Sequence, residues 1–288
     1  MIGRLGRALR FELKKLVGRQ TILVPQAFYA RRGPIVRRLL APPFFLVAFT
    51  AIVATAILSG YGEEVAEKFK SVTGGERDAF KNAWSTLAGA ASRSNLIGLL
   101  VVLVLSGMSL AEESQLGTLK SILIRPVRRG ELVWAKAFSL GLFVLALSLV
   151  VAGGSLGVGA AFFQFGDVVD PEYGTVQISA GEMAWATALA FALTIPPLLA
   201  AVGFGMLVST VLDQPGYAVG GAIGGLALLH FTAAVSKTLA PYLFVSWIAW
   251  PLDTLRDMGL SFSEAAFNPA DIAHSLVVCL GTGLICVA

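Results

Sequence analysis

The chain has 288 residues, of which 56% are hydrophobic and only 14% charged, with a mean hydropathy of +0.76. Soluble domains carry about 25% charged residues, so the composition excludes a soluble domain, and with it a disordered, collagenous or disulfide-framed chain. The net charge of +4 is concentrated toward one end rather than spread over a nucleic-acid-binding face. An all-α polytopic membrane protein is the class that remains.

Residues 1–40 hold ten Lys/Arg against one acid, Glu12, and are too charged to contain the apolar core of a secretory signal. Leu5, Leu9, Leu13, Leu16 and Val17 form an apolar stripe, while Arg4, Arg7, Arg10, Lys14 and Lys15 fill the rest of the wheel. That pattern predicts a helix lying in the membrane interface. Residues 21–40 then connect onward, broken by Pro25 and Gly33-Pro34.

A hydrocarbon core of about 30 Å needs roughly 20 apolar residues in a helix. Six stretches meet or approach that length, at 41–60, 95–111, 137–163, 183–210, 217–236 and 272–288. The second and last are short. Pro196-Pro197 should kink the fourth and leave carbonyls for neighbours to satisfy. Residues 238–251 (TLAPYLFVSWIAWP) are apolar but too short to cross, and predict a re-entrant hairpin on the outer face with Trp247 and Trp250 at headgroup depth. Cys279 and Cys286 sit seven apart on the last run, where a single helix does not let them bridge. That run reaches Ala288 with no basic residue after it, so a tail beyond Ala288 is expected.

Orientation follows from charge. With the N-terminus inside, segments 1–40, 112–136 and 211–216 face the cytoplasm and hold 15 of the 22 Lys/Arg, for a net charge of +10. Segments 61–94, 164–182 and 237–271 lie outside with a net charge of −6. This agrees with the positive-inside rule.

The segment from Ala111 to Lys136, AEESQLGTLKSILIRPVRRGELVWAK, carries the most information. Glu112 and Glu113 mark the exit of a span, and Gly117-Thr118 supplies a break and a capping hydroxyl. Leu119, Ile122 and Leu123 put an apolar stripe on a short helix that Pro126 ends. Arg128 and Arg129 would face phosphate headgroups or an acidic partner. Such a helix, held parallel to the membrane between two rods, would tilt both when pushed.

Here the chain resembles the permease subunits of the ABC type-2 exporter family. Their first cytoplasmic loop reads roughly E-x-x-x-G-T-L-x-x-L-L-x-x-P-V-x-R-x-E-x-x-x-x-K. The match falls at Glu113, Gly117, Thr118, Leu119, Leu123, Pro126, Val127, Arg129, Glu131 and Lys136, with Ile122 for the first of the paired leucines. Phe11-Glu12-Leu13 is similar to the start of that family's elbow helix. The resemblance implies two parts, an elbow and connector over 1–40 and a six-helix transmembrane domain over 41–288. It implies that Glu112, Glu113, Gly117, Thr118, Leu119, Ile122, Leu123, Pro126 and Arg129 couple this chain to a separate ATP-binding cassette subunit. No G-x-x-x-x-G-K-[ST] occurs in the sequence, so ATP and Mg would be held by that partner. A second permease copy, a bacterial plasma membrane and a cytoplasmic N-terminus are implied as well. Residues 21–40 and 61–94 are longer than the family's pattern, either to seat an outer accessory protein or as local elaborations.

Gly216, Gly220, Gly221, Gly224 and Gly225 overlap as small-x-x-x-small patterns, which suit either a contact between two permease copies or packing within one bundle. His230 and His274 lack any ligand spacing, so neither a metal nor a catalytic site is expected. Glu63-Glu64 reads as a solvated pair. Asn268-Pro269-Ala270-Asp271-Ile272 is similar to runs in permeases linked to maturation of the copper enzyme nitrous oxide reductase; by itself it is a proline-started helix capped by Asn268. No Asp, Glu, Lys or Arg lies near the middle of any span, which disfavours a proton- or ion-coupled transporter. Ser106, Ser109, Ser148, Thr187, Thr194 and Thr232 would line a path suited to apolar or amphiphilic cargo. The expected function is a non-catalytic permease subunit of an ATP-driven exporter. The other reading is a mechanotransmission or scaffold protein that acts on an outer partner through 61–94 and 237–271.

Overall fold

A computed structural model describes residues 83–115, 129–163, 165–169, 175–260 and 266–287. The expected interfacial helix, the first span at 41–60 and Glu63-Glu64 lie outside those residues. Among the described residues five segments are long and apolar enough to cross a membrane: Ala83–Glu112, Gly130–Ala161, Ala180–Val211, Pro215–Val235 and Pro269–Val287. They correspond to the second through sixth expected spans.

Helix α1 (Ala83–Gln115) has 33 residues and starts well before the expected residue 95. At ~1.5 Å per residue it is about 50 Å long, more than the ~30 Å hydrocarbon core requires. Arg93 and the hydroxyls of Ser85, Thr86 and Ser94 lower the hydropathy of the added turns and hide them from an apolar count. The turns are nevertheless amphipathic: Trp84, Leu87, Ala88 and Ala91 are buried at helical spacing, while Arg93 is exposed.

Helix α2 (Arg129–Phe162) also begins earlier than predicted and buries one face through Leu132, Leu140, Val144, Leu147 and Val151. Two short antiparallel strands follow, β1 (Val168–Val169) and β2 (Val176–Ile178), paired Val168↔Ile178 and Val169↔Val176. The sequence reading did not anticipate them. Trp84 of α1 donates its indole N–H to the Gly166 carbonyl at 2.9 Å and lies 4.6 Å from the Phe165 ring, which fixes the hairpin to α1.

The fourth span is two helices, α3 (Ala180–Leu193) and α4 (Ile195–Val211). A capping box starts α3, with the Ser179 hydroxyl accepting from Glu182 N–H and the Glu182 carboxylate accepting from Ser179 N–H. Pro196 and Pro197 occupy the first turn of α4, where their missing N–H groups cost least, so the expected kink falls as a break at Thr194. The Thr194 hydroxyl donates back to the Phe191 carbonyl at 2.8 Å.

Helix α5 (Pro215–Val235) is followed by two 3-10 turns, Ala240–Tyr242 and Phe244–Trp247, then by helix α6 (Trp250–Gly259). The segment expected to form a hairpin therefore consists of these turns and the start of α6. Leu252 and Leu255 of α6 are buried and Asp253, Arg256 and Asp257 exposed, so α6 is a surface helix laid on the α1 extension. A Cβ on Gly259 would lie 2.8 Å from the Ser85 backbone nitrogen. Helix α7 (Pro269–Val287) opens as the sequence predicted, with the Asn268 side chain accepting from Ala270 N–H at 3.1 Å.

Helix α4 is the centre of the bundle and packs against α7, α1, α5 and α2. Two glycines explain how. Residues two apart on a helix face directions about 200° apart, so Gly203 and Gly205 serve opposite neighbours. A Cβ on Gly203 would stand 2.7 Å from the Gly283 carbonyl oxygen of α7, and one on Gly205 would overlap the Ser106 hydroxyl of α1. The backbones touch at both crossings.

Gly203→Ala should therefore destabilise the detergent-solubilised chain by about 1–3 kcal/mol, the usual cost of overpacking. Gly153, in α2, has nothing within 4 Å of an added Cβ, and Gly153→Ala should instead be neutral or stabilise by up to ~1 kcal/mol. Thermal midpoints of the two variants check the contrast. At the other end, partial burial and the neighbouring Asp257 push the Asp253 carboxyl above the usual carboxylate range, with Arg256 partly offsetting them. A carboxyl raised in the fold loses stability as pH climbs through its folded value. Asp253→Asn should accordingly raise the midpoint at about pH 7 and leave it unchanged at about pH 3.

Candidate functional site at the loop end of the bundle

Residues 116–128 join the end of α1 to the start of α2, so the segment the sequence singled out hangs between two packed helices. Glu112 is half-buried in the last turn of α1, Glu113 follows it in the same helix, and Arg129 is the first residue of α2. Gly117, Thr118, Leu119, Ile122, Leu123 and Pro126 lie outside the described residues.

What anchors this end is a set of buried polar groups one to two turns deeper. Lys136 of α2 is 2% exposed, and its ammonium donates to the Ser109 carbonyl of α1. A buried lysine is costly unless its donors are taken, and in a spanning helix such a group characteristically faces the bundle and pairs with backbone carbonyls. The Ser109 hydroxyl donates to the Ser106 carbonyl at 2.7 Å. From the opposite side, Ser209 of α4, 3% exposed, accepts the N–H groups of Leu110 at 3.0 Å and Ala111 at 2.9 Å. One turn further out the Ser114 hydroxyl faces Asp213 Oδ1 at 3.4 Å. Gly107 brings α5 in as well, since a Cβ there would lie 3.3 Å from the Ala218 carbonyl oxygen. Four helices thus meet around residues 106–111.

The glycines of α5 divide into two groups. A Cβ on Gly221 would lie 2.9 Å from Leu212, and one on Gly225 would lie 2.8 Å from the Phe204 ring, so these two admit side chains of the same chain. Gly216, Gly220 and Gly224 lie four apart on another face, and among the described residues nothing lies within 4 Å of a Cβ added there.

The hydroxyls expected along a path have partners on the main chain, except that of Ser148, which is buried with none among the described residues. Ser106 and Ser109 belong to the junction just described. Thr187, Thr194 and Thr232 each donate to a carbonyl of their own helix or the turn that ends it. A cavity of about 340 Å³ lies between α2, α4 and α7 and is bounded by Trp134, Phe138, Leu142, Val202 and Leu280, with no hydroxyl in its wall. At the far end of the bundle, His274 lies 5.5 Å from the Trp247 ring and 5.7 Å from that of Tyr242. Its Nε2 and the Trp247 indole both meet the Pro241 carbonyl, at 3.1 and 2.9 Å. That tie holds α7 to the turns before α6. His230 is exposed on α5.

The family profile described as ABC-2 family transporter protein matches residues 39–213, about three-fifths of the chain. The chain belongs to the ABC-2 transporter family. That family supplies membrane components of ABC transporters, which agrees with a multi-pass bundle. A relative from Bacillus subtilis (strain 168), the uncharacterized protein YhcI, is 33% identical over 89 residues, or 31% of this chain and 28% of the relative. The similar segment is thus a little over a quarter of that protein's length.

Sequence reasoning found Lys136 only as the last residue of a motif and missed Ser209, Gly205 and Asp213. A signal for the first two exists: Gly205 and Ser209 are themselves a small-x-x-x-small pair on the fourth span.

Lys136→Ala should destabilise the chain by about 2–3 kcal/mol through the lost packing of its buried stem. Lys136→Met keeps the stem's volume without a charge and should stay within ~1 kcal/mol of the parent. Thermal unfolding in the same detergent separates the two outcomes.

Proposed function

We propose that this chain is the permease subunit of an ATP-driven exporter for an apolar or amphiphilic substrate. In this reading two copies pair in a bacterial plasma membrane, each with a cytoplasmic N-terminus and an ATP-binding cassette partner that binds ATP and Mg. Family membership supports the class. The single observation that carries the mechanism is the junction at the loop end: α1 is tied to α2 through Lys136 and to α4 through Ser209 immediately behind residues 116–128. A force on that loop would reach the central helix without passing through flexible chain. Glu113, Gly117, Thr118, Leu119, Ile122, Leu123, Pro126 and Arg129 are the residues we assign to the ATPase contact, with Glu112 beside them. The open face of Gly216, Gly220 and Gly224 suits the second copy, because small residues let backbones approach. Residues 1–40 would serve as the elbow and connector, and 61–94 as a seat for an outer accessory protein.

Gly117→Pro or Glu113→Ala should uncouple ATP hydrolysis from transport while the complex stays assembled. Co-purification with the ATPase, followed by ATPase and efflux assays in proteoliposomes, checks this; wild-type transport by both variants would refute it.

A second reading, that ATP strokes act on an outer partner without cargo crossing this chain, is favoured by one feature. The α1 extension, β-hairpin and α6 build a packed cap at the end opposite the loop. ATP-dependent substrate movement in vesicles that contain only the permease and its ATPase would exclude it.

A further inference from the structure

In a regular α-helix the carbonyls of residues 106, 107 and 109 receive the N–H groups of 110, 111 and 113. In α1 each of these rungs carries an additional partner. The Ser106 carbonyl receives the Ser109 hydroxyl, the Ser109 carbonyl receives the Lys136 ammonium, and the N–H groups of Leu110 and Ala111 both point to the Ser209 hydroxyl oxygen. That oxygen spends both lone pairs on the two donors. Ser209 reaches the ladder only because Gly205, one turn earlier on the same face of α4, leaves no Cβ between the helices. Beyond the latch α1 has one more turn before residue 116.

We propose that Ser209 is a positioning residue, a hydroxyl latch that takes the N–H groups of Leu110 and Ala111 and so holds the end of α1, just before residues 116–128, against α4. Its consequence for transport rests on the coupling role proposed above; the geometry itself belongs to this chain alone. With the latch made, the last turn of α1 lies beside α4, with Ser114 3.4 Å from Asp213, each one turn beyond its latch partner. With the latch lost, the end of α1 is freer to part from α4.

The test is the cross-linking rate of Ser114→Cys with Asp213→Cys in the full-length chain in lipid nanodiscs, on a background of Cys279→Ala and Cys286→Ala. Ser209→Thr keeps the hydroxyl, Ser209→Val has the shape of threonine without it, and Ser209→Ala removes it with the least bulk. Parent and Ser209→Thr should cross-link at the same rate. Ser209→Val and Ser209→Ala should be slower by about tenfold, the factor one buried hydrogen bond supports. If Ser209→Ala does not fold, the threonine–valine pair decides alone. Equal rates in Ser209→Thr and Ser209→Val would overturn the proposal, as would a threonine variant as slow as valine. No ATPase is present, so failure of the uncoupling experiment leaves this result standing, and failure here leaves that experiment standing.

Discussion

Backbone contact between α4 and its two neighbours is the constraint on which the rest of the structure depends. In a membrane, lipid is as apolar as a leucine side chain, so helices associate through close packing and interhelical hydrogen bonds rather than through a hydrophobic drive. Gly203 and Gly205 supply that packing on opposite sides of one helix, toward α7 and α1. Where the backbones touch, a short side chain reaches the other helix's main chain, and Ser209 does so twice. A leucine at position 205 would end both the contact and the hydrogen bonds.

The two ends of the bundle are built differently. At the loop end the helices are tied by polar side chains to backbone groups: Lys136 to α1, Ser209 to α1, and Ser114 beside Asp213. At the other end they are tied by aromatic rings and a cap. Trp84 pins the β-hairpin, Trp247 and His274 share the Pro241 carbonyl, and α6 lies on the extension of α1. Ring contacts and surface helices bury apolar area without fixing a direction of pull. The far end adds directional hydrogen bonds to the Gly166 and Pro241 carbonyls, and those at the loop end stand directly behind residues 116–128.

The class of the protein was legible because composition and charge are sums, and sums survive ignorance of the fold. The five described spans were found for that reason, and the Pro196-Pro197 break and the Asn268 cap were found because each follows from the chemistry of one or two residues. Span ends were read poorly. The first twelve residues of α1 include Arg93 and several hydroxyls, and an apolar count discards a helix whose buried face is Trp84, Leu87, Ala88 and Ala91. The β-hairpin escaped because strands of two and three residues have no periodicity to detect. The glycines of α5 were seen as one pattern, whereas Gly221 and Gly225 face α4 and the other three do not.

By itself the sequence determined that the chain is an apolar multi-span protein and which segment carries the resemblance to the family. These depend on residue type and on spacing within one element. Only the tertiary structure decided that α4 is central, that Lys136 is buried against Ser109, and that Ser209 takes two backbone N–H groups from a helix 98 and 99 residues away in sequence. Such pairings depend on which helix faces come together. That choice is made by the sizes of residues on both partners at once, and no single segment records it.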